Sequence, residues 1–149
     1  KDLTPEDYVV ILHYSPKGNY ALRVGQQSGS SEVPTLAAVL MESTQQIPPS
    51  EAPFDVLAEV FDINAVAHGH DRSIWMSYKR LGLPSTKENV LYGTPEMCAE
   101  VRRLFKETNV MNLGAFVMLG HKNGVVAFEK DPIKAAQRLI DLKNLAEKN

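Results

Sequence analysis

Two histidines separated by one residue, His68 and His70, are the side chains of this 149-residue chain whose type and spacing point most directly to chemistry. On a β-strand, positions i and i+2 project to the same side with Cα atoms about 7 Å apart, near enough for both imidazoles to converge on one cation. An open catalytic site needs a third ligand, and His13 and His121 are the histidines that remain. His121 lies in Gly120-His121-Lys122-Asn123-Gly124, a turn able to set an imidazole at the end of one strand beside the end of another, which makes it the better candidate. His13 closes a strand of unassigned place in the sheet and reads as an ordinary edge or surface histidine. Three neutral imidazoles leave a divalent cation its full charge, which polarises a ligand more strongly than a thiolate-rich shell does.

The elements that must position these residues follow from periodicity and punctuation. Ile63 to His70 reads as a short buried strand ending in the two histidines, and Arg72 to Leu81 as a helix closed by Gly82-Leu83-Pro84. Ala115 to Leu119 and Val125 to Phe128 are apolar strands on either side of the turn that holds His121. Asp7 to His13 and Tyr20 to Val24 form a strand, turn and strand around Ser15-Pro16-Lys17-Gly18-Asn19. Gly25 to Ser31 is a loop, and Pro34 to Met41 has helical spacing. Phe54, Leu57, Ala58 and Phe61 keep the i, i+3, i+4, i+7 pattern of a helix that starts near Ser50. Thr94 is placed to cap a helix with Pro95 at its first position, running to about Thr108. Asp131-Pro132 opens a last helix expected to turn Ile133, Ala136, Leu139, Ile140 and Leu145 inward. Mixed strands and helices of this kind indicate an α/β sandwich without an interdomain linker.

Composition narrows the partners. Sixteen Lys and Arg against eighteen Asp and Glu give a net charge of -2 with no basic block, so the electrostatic footprint of a nucleic-acid binder is missing. Apolar runs such as Ala115 to Leu119 are far shorter than the roughly 20 residues that span a bilayer, so no membrane contact is expected. One thiol, Cys98, allows no intramolecular disulfide, which fits a reducing cytoplasmic setting. At this length a chain buries roughly 70% of its unfolded surface, so a core forms without a structural metal. A metal site here is expected to serve function and not folding.

Read together, several segments resemble the class II aldolase/adducin family, in order and along nearly the whole chain. They are Leu3-Thr4-Pro5-Glu6-Asp7 before a hydrophobic strand, Pro48-Pro49-Ser50-Glu51, Asp62 to His70, Tyr92-Gly93-Thr94-Pro95-Glu96, and Val117 to Phe128. The resemblance implies a single class II aldolase-like domain over 1–149, a three-layer α/β/α sandwich with a mixed, largely antiparallel central sheet. It implies a divalent cation, zinc with manganese or cobalt as alternatives, held by His68, His70 and His121. It also implies a nearby glutamate that moves protons, here Glu51, with Ser50 donating to a substrate phosphate. Ser30-Ser31-Glu32 spells the same motif more literally. Glu51 is preferred because the 17 positions from Glu51 to His68 hold one helix and a strand, close to the family's separation. Glu32 then reads as an ordinary acid.

The family's N-terminal helix and Gly-Asn-x-Ser segment would precede Lys1, so an N-terminal piece is expected to be missing. The segment from Tyr78 to Tyr92 is shorter than in the aldolases, so no catalytic tyrosine is carried over and Tyr92 reads as a packing residue. The function the resemblance implies is a metal-dependent lyase that cleaves or rearranges a sugar or sugar phosphate through a metal-stabilised enediolate. Epimerase, dehydratase and decarboxylase chemistry use the same site. A homo-oligomer is expected, the tetramer being common in the family. The competing reading is an adducin-like interaction or assembly domain without turnover.

Overall fold

The computed structural model describes Thr4 and residues 9–15, 20–26, 28–44 and 64–148, with backbone alone for 12–15 and 44. In chain order the elements are β1 (Val10–Ser15), β2 (Tyr20–Val24), α1 (Val33–Thr44), β3 (Ala65–His70), α2 (Arg72–Ser77), α3 (Pro95–Glu107), α4 (Val110–Leu113), β4 (Ala115–Met118), β5 (Gly124–Glu129) and α5 (Pro132–Glu147). The result is a mixed α/β chain with two small antiparallel sheets among the described residues. β1 and β2 form one; the other has the order β3-β5-β4. Among the described residues no helix is long and apolar enough to cross a membrane.

The three-stranded sheet is apolar on both faces because helices lie against both, so β4 and β5 read as near-continuous hydrophobic runs. Alternate residues divide between two cores. Phe116, Met118, Val126 and Phe128 pack with Val39 of α1 and with Met97, Val101, Leu104 and Phe105 of α3. Ala115, Val117, Val125 and Ala127 pack with Ile74 of α2 and Ala146 of α5, against which Trp75, Leu139 and Leu142 also rest. Cys98 is buried in the first of these cores, as expected of a small apolar side chain.

Local signals set several boundaries. The Thr94 hydroxyl accepts from the Met97 N–H and Pro95 opens α3, and Asp131 likewise accepts from Lys134 N–H ahead of Pro132 in α5. Asp71 caps α2 by accepting from Ile74 N–H at 2.9 Å, which ends β3 directly after His70. Two expectations need correction. α2 stops at Ser77 and not Leu81, because the chain turns back with Leu83 N–H donating to Tyr78 O at 2.9 Å. In α5 the inward residues are Ala135, Leu139, Leu142 and Ala146, whereas Ile133, Ala136, Ile140 and Leu145 are exposed. Apolar residues occupy both sides of that helix. The side chosen is the one whose small alanines admit close packing, with Leu139 set over Gly69 of β3. The expected helix around Phe54 to Phe61 lies outside the described residues.

Candidate metal centre

Strand alternation puts His68 and His70 on one side of β3, where they pair in register with Val126 and Gly124 of β5. The turn from β4 to β5 brings His121 to them. It is closed by Gly124 N–H donating to His121 O at 2.8 Å, and Asn123 takes a left-handed φ of 64°. Asp71 N–H donates to Asn123 O at 2.9 Å, tying the end of β3 to this turn. The ring centroids stand 5.0 Å apart for His68 and His70, 5.2 Å for His68 and His121, and 4.5 Å for His70 and His121. One nitrogen from each ring lies within 4.8 Å of the others, close enough for the three to hold a metal ion.

Two further observations fit a cation at this place. His68 Nδ1 stands 3.1 Å from Val125 O, and because a carbonyl only accepts, Nδ1 carries the proton and Nε2 keeps its lone pair. That Nε2 is buried without a hydrogen-bond partner among the described residues. A buried ring nitrogen left without a partner costs free energy unless something occupies the position it faces. Burial first, and then the neighbouring rings of His121 and His70, push the His68 pKa down to about 4, against a partial opposing effect of Val125 O. His121 is lowered by burial and then by His70. Both effects keep imidazoles neutral, the form that binds metals.

Compared with protein-family models, with curated proteins and with solved structures, the chain matches none.

Of the expected site residues, then, His68, His70 and His121 come together. Ser50 and Glu51 lie outside the described residues, as does the side chain of His13. The carboxylate that the described residues bring to the histidines is Glu32, which is 2% exposed, with Oε1 3.3 Å from His121 Nδ1. This corrects its reading as an ordinary acid. Ser30 starts the helix beneath it: Glu32 N–H donates to Ser30 Oγ at 3.1 Å and Val33 N–H to Ser30 O at 3.1 Å. Burial raises the Glu32 pKa, and the Thr35 hydroxyl and the His70 ring oppose that rise in part. The Ser-Ser-Glu spelling was the one local signal for Glu32.

Tyr92, read as a packing residue, packs at the site itself. It is 45% exposed, and its ring stacks on His121 at 4.1 Å between centroids and 22° between planes. No spacing rule marks this contact, since it joins a loop ahead of α3 to the turn after β4.

Proposed function

We propose that the chain is a divalent-metal-dependent lyase of the class II aldolase/adducin kind, acting on a small hydroxy-carbonyl compound such as a sugar or sugar phosphate. The observation that carries this reading is the convergence of His68, His70 and His121 with the buried carboxylate of Glu32 beside them. Helices on both faces of the β3-β5-β4 sheet are what a three-layer α/β/α sandwich of that family requires.

On this reading the three imidazoles hold zinc, or manganese or cobalt. A cation bound there supplies Lewis acidity toward adjacent carbonyl and hydroxyl oxygens of a substrate. The chain's own residues do the rest. His68 is oriented by Val125 O, and low basicity keeps it available as a neutral ligand. Glu32 holds or releases a proton at its carboxylate oxygens, and its raised pKa brings that exchange closer to neutral pH, where an acid-base group works best.

Elemental analysis of the dialysed protein is the direct check, with about one zinc, manganese or cobalt per chain expected and its loss expected in His121→Ala. Turnover on aldehydes and hydroxy-ketones should then disappear in Glu32→Gln with the metal retained, and persist in Glu51→Gln. Retention of activity in Glu32→Gln and its loss in Glu51→Gln would move the proton-transfer role to Glu51. No metal uptake even from excess zinc would leave the adducin-like, non-catalytic reading.

A further inference from the structure

The three histidines are not held alike. His68 sits within β3 and has a backbone carbonyl fixing its ring. His70 ends the same strand, directly before the Asp71 cap of α2, and meets both other rings edge-on. His121 stands in a turn instead of a strand, and its Nδ1 lies 3.3 Å from Glu32 Oε1 without forming a hydrogen bond. The large flat surface against it is the Tyr92 ring.

The loop carrying Tyr92 is locked to the turn carrying His121. Thr86 N–H donates to Val117 O at 3.0 Å, Val117 N–H to Pro84 O at 3.0 Å, and Leu119 N–H to Thr86 Oγ1 at 3.1 Å, so the loop runs along β4. Further on, the Val90 carbonyl fits against Gly120 so closely that a Cβ there would collide with its oxygen. Beyond Tyr92 the chain is held by Gly93 at a φ of 69° and by the Thr94 hydroxyl, which donates to Leu91 O at 2.7 Å. Tyr92 is thus delivered to His121 by a loop anchored on both sides. An aromatic ring stacked in parallel restricts rotation of the imidazole without taking either of its nitrogens.

We infer that Tyr92 is a positioning residue for the His121 arm of the metal centre, holding that imidazole toward His68 and His70 through its ring and not its hydroxyl. This rests on the metal-binding reading above. Residues that orient metal-bound histidines typically change affinity 10- to 100-fold when lost.

The experiment measures Zn2+ affinity by chelator competition, together with the visible spectrum of the Co2+-loaded protein, in wild type, Tyr92→Phe, Tyr92→Leu and Tyr92→Ala. Tyr92→Phe is expected to stay within about twofold of wild type with the same Co2+ bands, and Tyr92→Leu and Tyr92→Ala to weaken Zn2+ by about tenfold or more with altered bands. The imidazole proton resonances of His121 in the metal-free protein, displaced by the Tyr92 ring current, are expected to be kept in Tyr92→Phe and to move in Tyr92→Leu. Wild-type affinity, spectrum and resonances in Tyr92→Leu or Tyr92→Ala would overturn the inference while leaving the metal centre standing. Equal loss in Tyr92→Phe would overturn the ring as the cause, and a wild type that binds neither ion would overturn both readings.

Discussion

Glu32 and His121 face each other at 3.3 Å across 89 positions of sequence, one at the start of α1 and the other in the turn between β4 and β5. A carboxylate nearly excluded from solvent beside an imidazole of lowered basicity is costly to the fold, because burial penalises the charged form of each.

That cost predicts a stabilising substitution. Glu32→Gln should raise the stability of the metal-free protein at pH 7 by about 1 kcal/mol, the usual trade of a site residue against the fold. The gain should shrink on acidification: the raised Glu32 pKa means the folded state takes up its proton first, so acid relieves the penalty in wild type. Thermal melts of metal-free wild type and Glu32→Gln between pH 4 and 8 check both parts.

Removing metal should loosen the protein without unfolding it. Among the described residues, the apolar cores built on Phe116, Phe128, Val101 and Leu104 on one side, and on Ile74, Val117 and Ala127 on the other, are made of apolar side chains and not of His68, His70 or His121. Chelation should therefore lower the melting temperature while leaving a cooperative transition and the same far-ultraviolet spectrum. Resupplying zinc at 100 times its dissociation constant should restore about 2.7 kcal/mol. Complete unfolding on chelation would mark the site as a structural staple.

Gly120→Ala should damage the metal centre as well as the fold. The added methyl meets the Val90 carbonyl, a backbone atom that moves only if its loop moves. Overpacking of this kind costs about 1–3 kcal/mol. Because the displaced loop carries Tyr92, Zn2+ affinity should fall as well, whereas Gly82→Ala, which has open space around the new carbon but strains a backbone at a φ of 67°, should cost stability and leave affinity unchanged. Denaturant unfolding and zinc competition on the two variants separate the effects.

Acid sensitivity should centre on Glu100. Its buried carboxylate accepts from Arg103 Nη2 at 2.8 Å and from Lys87 N–H at 2.9 Å, and Lys87 Nζ lies 3.1 Å away. The Arg103 hydrogen bonds first, with those of Lys87, hold its pKa down at about 2 against an ordinary 4.5. A depressed carboxylate contributes stability that is complete above the unfolded value and is lost as pH falls from about 4.5 toward 2. Glu100→Gln should destabilise the protein at pH 7 by roughly 3 kcal/mol, as breaking a buried ion pair does, and should flatten the decline of stability between pH 4.5 and 2. Urea titrations across that range measure both.

Short-range order was legible in the sequence. Alternation placed His68 and His70 on one side of a strand, glycines marked the His121 turn, and Thr94-Pro95 and Asp131-Pro132 marked two helix starts. Each depends on residues within a few positions of one another, where backbone stereochemistry and capping decide the outcome. Tertiary structure alone decided which side of α5 turns inward, since that choice lies with the packing of Ala135 and Ala146 against the sheet and not with apolar count. It also decided that Glu32 is buried beside His121 and that Tyr92 stacks on the same ring. Burial and stacking are contacts made when α1, the loop before α3 and the β4–β5 turn meet in space, and the energies that fix them have no counterpart in local spacing.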